Sequence, residues 1–88
     1  MTKERRGRKA ALAKYVQKKL KLRAKYKGKV YKAYVSRDGI IVFHGRRFYS
    51  PSKAGKPIVA KGTAINGWHF WEYERAHGDW VRLNELRR

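Results

Sequence analysis

The chain has 88 residues, with 24 lysines and arginines against six acids, a net charge of +18 and no cysteine. That length allows one domain with a small core, burying somewhat over ~60% of the surface its unfolded form exposes. The absent cysteines exclude a disulfide framework, thiolate metal sites and a cysteine nucleophile, and the charge points to a polyanionic partner, nucleic acid first, because closely spaced phosphates release counterions when they are neutralised.

Thirteen of the 24 basic residues lie in the first 29 positions, beside a single acid, Glu4. The three Trp, six Tyr and three Phe lie almost entirely after Lys25. They are too many for a disordered basic tail. Residues 1–9 therefore read as a basic arm, and 10–88 as one small α+β domain. No secretory signal is expected, since no continuous apolar run follows the charged N-terminus. The longest apolar run, Ile40 to Phe43, is too short to span a bilayer. No membrane partner is expected, and the anticipated location is the cytoplasm, with the nucleoid if the source is bacterial.

From Ala10 to Tyr26, Leu12, Tyr15, Val16 and Leu20 recur at spacings of three and four. That spacing predicts a basic amphipathic helix over 10–26, supported by its alanines and lysines. Its polar face carries Lys14, Lys18, Lys21 and Lys25, with Arg8 before them; few acids balance them, which favours a contact face over a solvated one. Lys29 to Ser50 then reads as a three-stranded antiparallel meander. Its first turn is Asp38-Gly39, a type I′ signal, and its second is Gly45. Ser50-Pro51-Ser52 predicts a short helix, with serine as the cap and proline at the first position; Gly55 and Pro57 end it. Trp68 to Glu74 alternates and predicts an aromatic-rich fourth strand. His77-Gly78-Asp79 turns the chain so that Trp80, Val81 and Leu83 pack back on the sheet.

Several of these segments resemble the RAMA domain, the restriction enzyme adenine methylase associated family. The resemblance rests on Phe48-Tyr49-Ser50-Pro51-Ser52, then Asn66-Gly67-Trp68-His69-Phe70-Trp71, then Trp80 with Leu83 and Leu86. Upstream, Tyr26-Lys27-Gly28 and Asp38-Gly39-Ile40-Ile41 fit as well, so it covers about Leu12 to Leu86. It implies a small α+β domain that binds DNA, in some members DNA carrying a modified base such as methyladenine. In such domains the serine-proline-serine start usually continues as an alanine-rich helix, whereas Gly55 and Pro57 shorten it here.

The residues themselves suggest how nucleic acid would be held. Basic side chains grip phosphates, and aromatic faces stack on unpaired bases. The expected contacts are Arg5, Arg6, Arg8, Lys9, Lys14, Lys18, Lys21 and Lys25 from the N-terminal segment. Arg46, Arg47, Ser50, Ser52, Lys53 and Lys56 surround the start of the short helix, where free N–H groups and cations suit a phosphate; Ser50 also reads as a plain cap. Trp68 and Phe70 are expected in the core. His69, Trp71 and Tyr73 fall on the opposite strand face, which makes Trp71 the expected stacking residue.

Gly55-Lys56 lacks the upstream glycine and the following Ser or Thr of a phosphate-binding loop. His44, His69 and His77 have no ligand-like spacing, so neither metal nor other cofactor is expected. No Ser/His/Asp motif is present, and the six acids form no pair suited to acid–base work. The chain is therefore expected to be a non-enzymatic DNA-binding protein. The alternatives are an RNA-binding ribosomal or ribosome-associated protein and a module for an acidic protein partner. The sequence does not fix an oligomeric state.

Overall fold

Residues Leu20–Tyr26 read Leu-Lys-Leu-Arg-Ala-Lys-Tyr, and this alternation decides the architecture. In the computed structural model, which describes residues 10–87, they form strand β1. It pairs antiparallel along its whole length with β2 (Lys29–Val35), and on its other side with β5 (Glu72–Ala76). Beyond β2 lie β3 (Ile41–Phe43) and β4 (Arg46–Phe48), and beyond β5 lies β6 (Asp79–Arg82). The result is one six-stranded sheet in the order β4-β3-β2-β1-β5-β6, antiparallel at every junction.

The helix expected over 10–26 is not formed. Residues 11–15 make only consecutive turns, with Ala13 N–H donating to Ala10 O and Tyr15 N–H to Leu12 O. Leu12 and Val16 are buried at the expected spacing of four. The pattern then changes period, and Leu22 and Ala24 are buried on one face of β1. A central strand gains two neighbours and a buried face, and that outweighs the weak helix preference of lysine and alanine. The expected plan of helix, three-stranded meander, short helix and fourth strand thus gives way to a predominantly β fold with two short helices.

The aromatic-rich strand expected over 68–74 is also corrected. Gly67–Phe70 is a helical turn, α2, capped by Asn66, whose side chain accepts from Trp68 N–H at 3.0 Å. Strand β5 begins only at Glu72. The helix α1 (Pro51–Gly55) starts at its expected cap, with Ser50 Oγ accepting from Lys53 N–H at 3.2 Å. At Asp38-Gly39 only Gly39 has positive φ, so the turn is not type I′. The two-residue turns with positive φ at both positions are Lys27-Gly28 and His44-Gly45.

Both helices and the N-terminal turns lie on one face of the sheet. There Leu12, Val16, Leu22, Ala24, Val35, Ile41, Phe43, Ala54, Trp71, Tyr73 and Leu83 form a single core. Trp71 is fully buried, and its Nε1 donates to Pro51 O at 3.0 Å. Its ring meets Phe43 and Phe70 edge-on at 5.8 and 5.7 Å. Trp71 is therefore a core residue with no face for a base, contrary to expectation. The strand reading put it opposite Trp68, whereas the turn of α2 before β5 swings it inward.

Candidate nucleic-acid interface

Strand alternation sends every second residue to the side of the sheet that no described element covers. Across the ladder, Lys21 lies opposite Tyr34, Arg23 opposite Lys32, and Lys25 opposite Val30. The rows continue outward through Val42 and Arg47 on one side, and through Glu72 to Arg82 and Glu74 to Trp80 on the other. Lys19, just before β1, adds a seventh cation to Lys21, Arg23, Lys25, Lys32, Arg47 and Arg82, with its Nζ 4.3 Å from the Tyr34 ring centroid.

Two carboxylates share this face, and each has a local partner. Glu72 Oε1 accepts from Arg23 Nε at 2.7 Å. Glu74 Oε2 accepts from the Gly78 N–H at 2.8 Å. Of the other six cations, Arg82 meets His69 Nδ1 at 3.5 Å, and Arg47 lies close enough to Asp38 to help hold its carboxyl charged. Residues 10–87 hold eighteen lysines and arginines against five acids, so one-to-one pairing leaves most of them without a carboxylate of their own. Two aromatic side chains stand among the cations. Tyr34 lies under Lys19, and Trp80 lies under Arg23, whose guanidinium carbon is 4.5 Å from the ring centroid.

The expected contact residues divide between the two sides. Lys21, Lys25 and Arg47 are on the open face, and Lys18 is exposed just before it. Lys14, Arg46, Lys53 and Lys56 are exposed on the helix side or its rim. There Lys14 Nζ lies 5.7 Å from the Tyr15 ring, Arg46 packs over Phe48 at 5.3 Å, and Lys56 Nζ donates to Thr63 O at 3.1 Å. The Ser50 hydroxyl oxygen is engaged as the α1 cap, and Ser52 Oγ accepts from Gly67 N–H at 3.0 Å, joining α1 to α2. Both serine oxygens thus accept bonds within the fold, and each hydroxyl keeps its proton to donate. Arg5, Arg6, Arg8 and Lys9 lie outside the described residues, as does the arm expected over 1–9.

Lys19, Arg23, Lys32, Tyr34, Trp80 and Arg82 were not anticipated. For Lys19 and Arg23 the signal was present, in the Lys-Leu-Lys-Leu-Arg-Ala-Lys alternation from Lys19 to Lys25. For Trp80 there was none, because only the pairing of β5 between β1 and β6 brings it to Arg23.

Elsewhere, Asp38 accepts from Ser36 Oγ and from Ile40 N–H in the β2–β3 loop. The serine hydroxyl, more than any other neighbour, holds its carboxyl below the usual carboxylate value. Among the described residues no cluster of three or more His, Asp or Glu is placed to hold a metal ion. No helix there is long and apolar enough to cross a membrane.

Residues 3–88 match the family model of the RAMA domain, Restriction Enzyme Adenine Methylase Associated. Neither the curated proteins nor the solved structures gave a significant match.

Proposed function

The chain belongs to the RAMA family, and on that premise we propose that it is a DNA-binding module whose open sheet face grips the phosphate backbone. The observation that carries this is the set of seven cations on the face that no described element covers, against two carboxylates that already have partners. Six strands at about 4.8 Å spacing spread that charge over about 24 Å. A duplex presents one phosphate charge per ~1.7 Å of axis, so about 14 charges lie within such a span and phosphate supply does not limit contact. The family's name couples it to restriction enzymes and adenine methylases, for which DNA is the shared substrate. The module is a binding partner in such systems and not itself a catalyst, acting in the cytoplasm and, in a bacterium, at the nucleoid.

Phosphate contacts position a protein without reading sequence. Discrimination between unmodified and adenine-methylated DNA, or between DNA shapes, is the finer role assigned to this module. Binding to plain and adenine-methylated duplexes, with structured RNA as competitor, tests both levels. The expected result is a log K that falls with log salt at a slope near −6 for duplex DNA, about 0.9 for each of seven neutralised phosphates. A flat salt dependence, or full competition by RNA at equal concentration, refutes the proposal.

A further inference from the structure

Trp80 is the tryptophan that the helix side does not use. Trp71 is buried in the core, and Trp68 packs edge-on against Tyr15 at 5.7 Å under the guanidinium of Arg87. Trp80 instead stands half-buried on the open sheet face. Beside it is a hollow of about 470 Å³, lined by Lys21, Arg23, Val30, Lys32, Glu74 and Trp80. We infer that this hollow takes an unpaired nucleobase of single-stranded DNA, stacked against the Arg23–Trp80 pair, with the adjoining phosphates on Lys21 and Lys32. The inference rests on the DNA-binding role proposed above and adds to its backbone grip a site for one unpaired base.

The chemistry of the walls selects such an occupant. Arg23 is fixed by Glu72 at 2.7 Å, with side chains only 27% and 29% exposed. Its guanidinium lies 4.5 Å from the Trp80 ring centroid, so the indole is held in place before any ligand arrives. An ordered aromatic ring loses little freedom on stacking, and Arg and Trp planes are the surfaces on which proteins stack splayed-out bases. Val30, across the hollow, is 54% exposed and offers an apolar contact. Glu74 would repel a phosphate, whereas Lys21 and Lys32 attract one, which sets the backbone along the lysines and the base inward. A duplex cannot place a base there while its bases remain paired and stacked. A positively charged groove with an aromatic platform is the usual arrangement for a single strand.

The test is fluorescence anisotropy at low salt with three labelled probes of equal length: a single strand with bases, an abasic single strand, and a duplex. The base-bearing strand is expected to bind about tenfold tighter than the abasic one. Trp80→Ala should bring it down to the abasic level, and Trp80→Tyr should restore most of the difference. Equal binding of the two single strands by the unaltered protein overturns the inference and needs no variant. Retention of the tenfold difference by folded Trp80→Ala protein overturns it as well. Failure of all three probes to bind overturns the DNA-binding role itself, an outcome distinct from loss of the base-dependent part alone.

Discussion

Replacing Trp71 by Phe separates what the core needs from what the ligand needs. The indole is fully buried, and its N–H satisfies the Pro51 carbonyl at 3.0 Å. Phenylalanine keeps an aromatic ring beside Phe43 and Phe70 but removes the donor and leaves a small void. The unpaired carbonyl costs about 1–3 kcal/mol, and the void adds to that, so the expected loss is about 2–3 kcal/mol. Trp71→Ala would cost about 3–5 kcal/mol. At about 0.05–0.15 kcal/mol per residue, a chain of this length has a total stability of only about 4–13 kcal/mol. The Phe variant should therefore fold while the Ala variant stands near the limit. Urea unfolding followed by far-UV circular dichroism gives the measurement, and the Phe midpoint should fall by about 1 M or more. The folded Phe variant should bind DNA as tightly as the unaltered protein, since the ring reaches no solvent. A Phe variant within ~0.5 kcal/mol of the unaltered protein, or one fully folded with weakened DNA binding, refutes the placement of Trp71.

Two further predictions concern the fold. Gly67→Ala should destabilise, although alanine normally favours a helix by up to about 1 kcal/mol. A Cβ at Gly67 would sit 2.2 Å from the backbone of Pro51 and Ser52, which cannot swing aside, so a loss of about 3 kcal/mol is expected from the forced separation of α1 and α2; a thermal midpoint equal to or above that of the unaltered protein contradicts the close approach. Asp38 should titrate below its ordinary 3.8 because the Ser36 hydroxyl binds its ionised form. The sign follows from linkage: with the folded-state value depressed, its contribution to stability is present above the unfolded value and is lost as pH falls through the folded one. Carboxyl NMR titration should show Ser36→Ala raising the value toward 3.8, and no change on that substitution contradicts the assignment.

Local chemistry was the legible part of this sequence. Ser50-Pro51 announced α1, because a capping hydroxyl and a proline at the first helical position act within a few residues. The family likewise was legible in the spacing of Ser50-Pro51-Ser52 and Asn66-Gly67-Trp68. The N-terminal half misled because two periods adjoin. Leu12 and Val16 keep a spacing of four in turns, and Leu20, Leu22 and Ala24 then alternate in a strand. Leu20 fits both patterns. Among residues 68–73 nearly every side chain is aromatic, so neither period stands out, and the Asn66 cap was the one local sign of α2. Of the open face, only the alternation from Lys19 to Lys25 was legible. The face exists because β1 sits between β2 and β5, and non-local pairing of that kind leaves no trace in local periodicity.

On the proposed reading, the open sheet face, rather than the helix side, carries the phosphate contacts. Lys21, Lys25 and Lys32 changed together to Glu, compared with Lys14, Lys53 and Lys56 changed together to Glu, alter the net charge equally and differ in which side they occupy. Salt titrations of duplex binding should show the slope falling in magnitude by about 3 for the first set, at about 0.9 per lost contact, and by less than about 1 for the second. A slope that falls with the second set and holds with the first contradicts the account.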